Sequence, residues 1–457
     1  MKGHTLNKKK VAGAPPVPAD PTLAFAHLLD GREVLALLAE HDVIDSPEAA
    51  KLRIEHVRYR PGQSCTVLFT IECENGGESH ATSLYAKCLT KGEFENAAEV
   101  SANRRWVAGA LMDAPLVISD CRTLIYEFPN DAKLRAIRGI AKPRKLARDI
   151  GQLMTRVNDG RLTAAGRPAT LVPLRYKPES RLVVRCESYW IDSASDEEKI
   201  IPIVLRFDRR GRGETTIDLA QKLSHTLSNE PDIAVPELLF HTKRGGFVGF
   251  EWIDGEKLSD LLRAPERLGA LTKTARALAV LNTCTDPRLP ARSPTDHFAQ
   301  ARDKAHQLRG CSDEITRRVD EVLRGLAGAV ERTTIGRIGF VHGDFHQGQV
   351  LLRDGRAYVV DLDRAYTGET AADVGNFVAQ IELLGLRGRL EEASEVGAHF
   401  VEEFERATKL QLDRDRLKYW IGVSLLELAI KEFRRLKQDW PARVTAVLDR
   451  CLDLSSR

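Results

Sequence analysis

Two periods divide the chain. Up to about residue 256, apolar and polar residues alternate in short runs broken by Gly, Pro and Asn, as half-buried strands do. Beyond it, Leu258, Leu261 and Leu262 open an apolar stripe that Leu268 to Leu281 continues with a 3.6-residue repeat, so this half is predicted to be helical. Phe298 to Leu326 and Leu390 to Leu452 also read as helices.

The strand-rich half is itself a duplication. Val57-Arg58-Tyr59-Arg60-Pro61 through Phe69 matches Leu174-Arg175-Tyr176-Lys177-Pro178 through Cys186 at four of thirteen positions, and the Arg60/Lys177 exchange keeps the charge. Leu84-Tyr85-Ala86-Lys87 then corresponds to Ile203-Val204-Leu205-Arg206, and Thr123 to Phe128 corresponds to Phe247 to Trp252. Units this long, present twice, point to a duplicated subdomain and not to a solenoid. Each copy is predicted to run strand, strand, strand, helix, strand, strand.

The candidate chemistry lies in Val341-His342-Gly343-Asp344-Phe345-His346-Gln347-Gly348-Gln349 and in Val359-Val360-Asp361-Leu362-Asp363. Between them Asp354-Gly355, flanked by apolar runs, is a strong two-residue hairpin signal. That turn pairs Arg353 with Arg356, and counting outward sets Gln349 opposite Val360 and Gly348 opposite Asp361. Asp344 can then orient and deprotonate a hydroxyl, while Gln349 and Asp361 offer oxygen ligands for magnesium. Each residue also has an ordinary reading: Asp344 as a turn residue, Asp361 as a strand end, Asp373 as a helix cap. A further reading places His342, Asp344 and His346 on one face of a strand, where they could bind zinc.

These motifs resemble the aminoglycoside phosphotransferase and choline kinase superfamily, whose signature runs His-Gly-Asp, four residues, Asn, then a strand ending in Asp. The resemblance implies an α+β, protein-kinase-like, two-lobed fold. It makes Asp344 the catalytic base, Gln349 (in place of Asn) and Asp361 the metal ligands, and His342 and Asp373 supports of the loop. Phe250-Glu251-Trp252-Ile253-Asp254-Gly255 is similar to the hinge of this superfamily, which puts Glu251 among the nucleotide-binding residues. The second copy (166–256) is expected to be the N-lobe, 257–457 the helical C-lobe, and the first copy (41–165) an additional cap, a feature similar to maltokinases. For the phosphate clamp the resemblance offers Arg206 with Glu214, or Lys87 with Glu95, the former favoured because its copy runs directly into the catalytic half. Gly211-Arg212-Gly213 could bring backbone amides to phosphate. Asn282 stands where relatives often carry His. The implied cofactors are ATP and Mg2+, and the implied acceptor is a hydroxyl of a sugar, an aminoglycoside-like compound or an amino alcohol. Glu382, Glu391 and Glu392 are candidates to meet an amino-sugar. A pseudokinase that binds without turnover is the rival reading, with Arg206 and Gln349 in its favour.

Composition narrows the partners. Lys and Arg number 68 against 65 Asp and Glu, so net charge gives no reason to expect nucleic acid or membrane binding. The eight cysteines show no CxxC spacing, which suits reduced thiols in a cytoplasmic protein. Residues 1–40, basic at Lys8-Lys9-Lys10 and then rich in Ala and Pro, are expected to form a flexible tail.

Overall fold

The latter part of the stretch expected to trail free as a tail, residues 26–40, instead begins the fold. The structure is a computed structural model and describes residues 16–75, 78–157, 161–209, 214–242 and 246–455. Lys8-Lys9-Lys10 and Gly211-Arg212-Gly213 therefore lie outside the described residues. A 3-10 turn over Ala26–Leu29 leads into helix α1 (Gly31–Glu40), whose Asp30 cap accepts the Arg32 N–H at 2.8 Å. Leu28, Val34, Leu35 and Leu38 are buried in the main core, and that burial outweighs the freedom a tail would keep.

The first copy consists of β1 (Lys51–Arg60), β2 (Ser64–Asn75), β3 (Glu78–Leu89), helix α2 (Lys91–Ala102), β4 (Leu116–Ile118) and β5 (Thr123–Glu127), in sheet order β1-β2-β3-β5-β4. Helix α3 (Pro143–Val157) and β6 (Leu162–Ala164) follow. The second copy then runs β7 (Thr170–Lys177), β8 (Arg181–Asp192), β9 (Glu198–Asp208) and helix α4 (Glu214–Thr226). After a short β10 (Ile233–Ala234) come β11 (Leu238–His241) and β12 (Phe247–Glu251), and the order β7-β8-β9-β12-β11 repeats that of the first sheet. The registers agree residue by residue: Thr66 faces Lys87, which faces Leu124, and Val183 faces Arg206, which faces Val248. One boundary moves. β6 pairs with β8, and Leu146, Ile150 and Met154 of α3 join the second sheet's core, so α3 and β6 side with the second copy and not, as expected, with the first.

The remainder is helical apart from short strands. It runs β13 (Glu256–Lys257), α5 (Leu258–Leu261), α6 (Arg267–Leu281), α7 (Pro294–Ala305), α8 (Asp313–Arg332), β14 (Ile338–Val341), β15 (Val350–Arg353), β16 (Arg356–Val359) and β17 (Tyr366–Glu369). Helices α9 (Ala371–Leu386), α10 (Ala393–Thr408), α11 (Arg414–Arg434) and α12 (Trp440–Ser455) complete it. This is the expected two-lobed kinase-like arrangement, with the first copy added.

The first copy is wedged between the other two parts. Its Tyr59 meets Phe433 of α11 edge-on at 5.6 Å, inside a core that runs on into the C-terminal helices. On its other side Tyr85 packs edge-on against Tyr176 at 6.4 Å, and Arg58 donates to the Pro178 carbonyl at 3.2 Å. Among the described residues no helix is long and apolar enough to cross a membrane, and Cys65, Cys73, Cys88, Cys121, Cys186, Cys284 and Cys311 form no disulfide.

Candidate active site

The hairpin forms as predicted. Arg353 pairs with Arg356, Val350 pairs with Val359, and the Val360 N–H donates to the Gln349 carbonyl at 3.0 Å. The turn needs left-handed backbone at both corners (Asp354 φ 51°, Gly355 φ 84°), the conformation that Asp-Gly supplies cheaply. The loop ahead of it is held from below. Asp373, fully buried near the start of α9, accepts the N–H groups of His342 at 2.7 Å and Gly343 at 3.0 Å. Gly343 sits at φ 76°, and a Cβ there would lie 2.4 Å from the Arg364 carbonyl oxygen, so only glycine lets the loop pass so close.

His342 stitches the two halves of the motif together. Its Nε2 donates to the Val360 carbonyl at 3.0 Å, and its Nδ1 accepts the Asp344 N–H at 3.3 Å. The zinc reading fails on this geometry. Strand β14 stops at Val341, and the Nδ1 of His346 is used by the Gly348 N–H at 2.9 Å. Asn282 donates to the Phe340 carbonyl at 2.7 Å and so braces β14 from α6.

The two carboxylates of interest face one cleft. Asp344 is flanked by Lys431 of α11 at 3.7 Å and Arg364 at 3.8 Å. Burial would raise its pKa, but these two cations win and hold the carboxyl below its usual range. Asp361 takes up a left-handed conformation (φ 64°, ψ 58°), rare outside glycine and easiest for Asp or Asn. Burial of Asp361 is likewise outweighed, here by Arg181 and then Arg206, so its carboxyl stays ionised.

Arginines from the second copy close the cleft from above. Arg181, first residue of β8, bonds Asp361 at 2.9 Å and Asp208 at 2.7 Å, and pairs with Asp363. Arg206 reaches Asp363 at 3.0 Å and Asp208 at 2.6 Å, with its guanidinium over the Phe250 ring. Asp363 is an exposed residue whose side chain pairs with both arginines. The Gln349 amide instead lies 3.4 Å from Asp361 Oδ2, the oxygen that Arg181 leaves free. A carboxylate oxygen beside an amide that can turn its own oxygen inward suits a hard divalent cation. Among the described residues no cluster of three or more His, Cys, Asp and Glu side chains could hold a metal, so further ligands would be phosphate oxygens or water.

Other expected residues lie elsewhere. Lys87 does not pair with Glu95, which is exposed on α2; both of its N–O contacts, at 2.8 Å, go to Glu179 in the turn between β7 and β8. The Glu214 side chain is outside the described residues. Glu251 ends β12 with its N–H committed to the Glu237 carbonyl at 2.9 Å, so any adenine contact by an N–H falls to the linker 252–255. Glu382 is held by Arg450 at 2.7 Å and Glu392 by Arg267, so neither is free for an acceptor. Arg181, Arg364 and Lys431 were not anticipated. Arg181 had a signal, since its counterpart in the first copy is Ser64; the other two read like any charged residue of a solvated surface.

Residues 187–420 match the phosphotransferase enzyme family. No curated protein matches the chain significantly. Among solved structures, the chain is similar to the aminoglycoside phosphotransferase APH(4)-Ia at 15% identity, covering 68% of this chain and 99% of that one (TM-score 0.47). It is also similar to a choline kinase from Cryptosporidium parvum Iowa II at 13% identity, covering 63% and 89% (TM-score 0.44). A choline/ethanolamine kinase family protein from Mesorhizobium loti is 14% identical, covering 68% and 95% (TM-score 0.44). The sequence match alone spans just over half of the chain, which therefore belongs to the phosphotransferase enzyme family.

Proposed function

We propose that this chain is a small-molecule kinase that transfers the terminal phosphoryl group of ATP to a hydroxyl. The observation that carries the reading is the convergence of an ionised Asp344 and Asp361 on one cleft, on backbone that Asp373 and His342 hold in place. Asp344 accepts the acceptor's proton and aligns its oxygen for in-line attack. Arg206 and Arg181 exchange their aspartates for phosphate oxygens, for which a guanidinium is geometrically suited. Asp361 and Gln349 would hold Mg2+, which when bound neutralises charge on the phosphates.

One observation favours the rival binding module. Arg181 already neutralises Asp361 through its other carboxylate oxygen, Oδ1, which weakens the charge a metal cation would meet. The deciding experiment is ADP release from Mg-ATP across a panel of hydroxyl compounds, with Asp361→Ala as control. The kinase reading predicts acceptor-dependent ADP that this variant loses, together with its magnesium-dependent nucleotide binding. Mg-ATP binding with no turnover on any acceptor is the result the binding module predicts.

A further inference from the structure

The cavity that opens from Asp344 between the two copies and the C-terminal helices has a distinct chemistry. It has a volume of about 850 Å³ and is walled by β1, the turn into β8, the catalytic loop and α11. Nine Lys and Arg side chains line it against four carboxylates. Three of the four, Asp344, Asp361 and Asp363, belong to the site already described. The fourth, Glu432, is buried and shared between Arg387 and, at 3.1 Å, Arg435, with Arg443 at 3.6 Å, so one negative charge serves both guanidiniums of the cavity wall.

The opposite wall adds cations that, among the described residues, form no ion pair of their own. Arg58 spends a donor on the Pro178 carbonyl, and Arg175 and Lys177 form no ion pair among the described residues. Burial pushes the His56 imidazole down to about 4, and Arg435, Arg58, Lys177 and Arg175 repel its proton further. Lys177 is itself pushed down to about 8 by burial and by Arg175. Charges crowded this way in a cavity, with no carboxylate left over, attract an anion and reject an ammonium.

Resting on the phosphotransfer reading, we infer that the acceptor is an anion: a hydroxyl compound carrying a phosphate or carboxylate that Arg175, Lys177 and Arg435 grip while its hydroxyl meets Asp344. Aminoglycosides and amino alcohols would bring positive charge into the cavity and are excluded. The acceptor's O–H bond breaks, its proton passes to Asp344, its oxygen bonds to the terminal phosphorus of ATP, and ADP leaves.

Four acceptor groups test this with Mg-ATP: sugar phosphates, sugar acids, neutral sugars, and cationic aminoglycosides with choline. Calorimetry of the nucleotide-saturated protein with the same compounds runs beside the ADP assay. Expected are turnover and binding confined to one or both anionic groups, with KM raised about tenfold or more by Arg435→Gln or Arg175→Ser and kcat changed less. Conversion of neutral or cationic acceptors in preference to anions overturns the inference and leaves phosphotransfer intact. Absence of anion binding to the nucleotide-loaded protein overturns it whatever the turnover. Failure to bind Mg-ATP at all removes the phosphotransfer reading itself.

Discussion

The two copies share strand order and register, yet their central charged residues do different work. In the second copy Arg206 faces the cleft and meets Asp363. In the first copy the matching Lys87 faces the second copy and closes on Glu179. The turns diverge as well. The first copy's turn is tied down by Asp20, which accepts from Tyr59 at 2.8 Å and from the Gly62 N–H at 2.9 Å. The second copy's turn is tied to the first copy: Asp131 accepts the Glu179 N–H and the Tyr176 hydroxyl, each at 2.8 Å. Glu179 pays for a left-handed φ of 60° there, a strain that its two lysine partners and Asp131 hold in place. One scaffold thus serves as lid over the candidate site, and the other as the brace that positions the lid. What separates them is which neighbour the third strand's cation can reach.

The largest effect should come from the residue beneath the lid. Asp344→Asn is expected to lower kcat by on the order of a hundredfold or more while Mg-ATP binding, measured by calorimetry, persists. Since Lys431 and Arg364 depress the Asp344 pKa, the carboxylate is ionised above that lowered value, and kcat/KM should fall only as pH drops below the ordinary Asp range, about 4. A wild-type profile with its acid limb near 6 would point to another base.

A smaller effect is expected at the brace. Lys87→Met leaves Glu179 buried with Lys133, at 3.2 Å, as its remaining cation, and should cost about 1–3 kcal/mol of stability in denaturant melts. Adding Glu179→Gln should restore much of that loss. A double variant no more stable than Lys87→Met would mean that the pair does not carry the contact.

Much of this arrangement was legible in the residues. Asp354-Gly355 set the hairpin register, and the alignment of Lys87 with Arg206 survives in the strand pairing of both sheets. Other parts were hidden for physical reasons. The buried face of α1 follows a Pro-rich stretch that reads as unstructured. Lys87 finds a partner 92 residues away, a distance at which local patterns are silent. Arg364 and Lys431 are recognisable only once α11 and the loop are packed together. Glu382 and Glu392, considered for an amino-sugar, could not be seen to be engaged until Arg450 and Arg267 were in place.

Nucleotide affinity measured side by side in Arg206→Ala and Lys87→Met tests most directly which copy is the lid. Arg206→Ala should weaken Mg-ATP binding about tenfold or more, because a charge-assisted contact to phosphate is lost. Lys87→Met should change it by no more than about threefold, since that residue acts only through Glu179. Loss of Mg-ATP binding in Lys87→Met with none in Arg206→Ala would contradict the account and make the first copy the phosphate clamp.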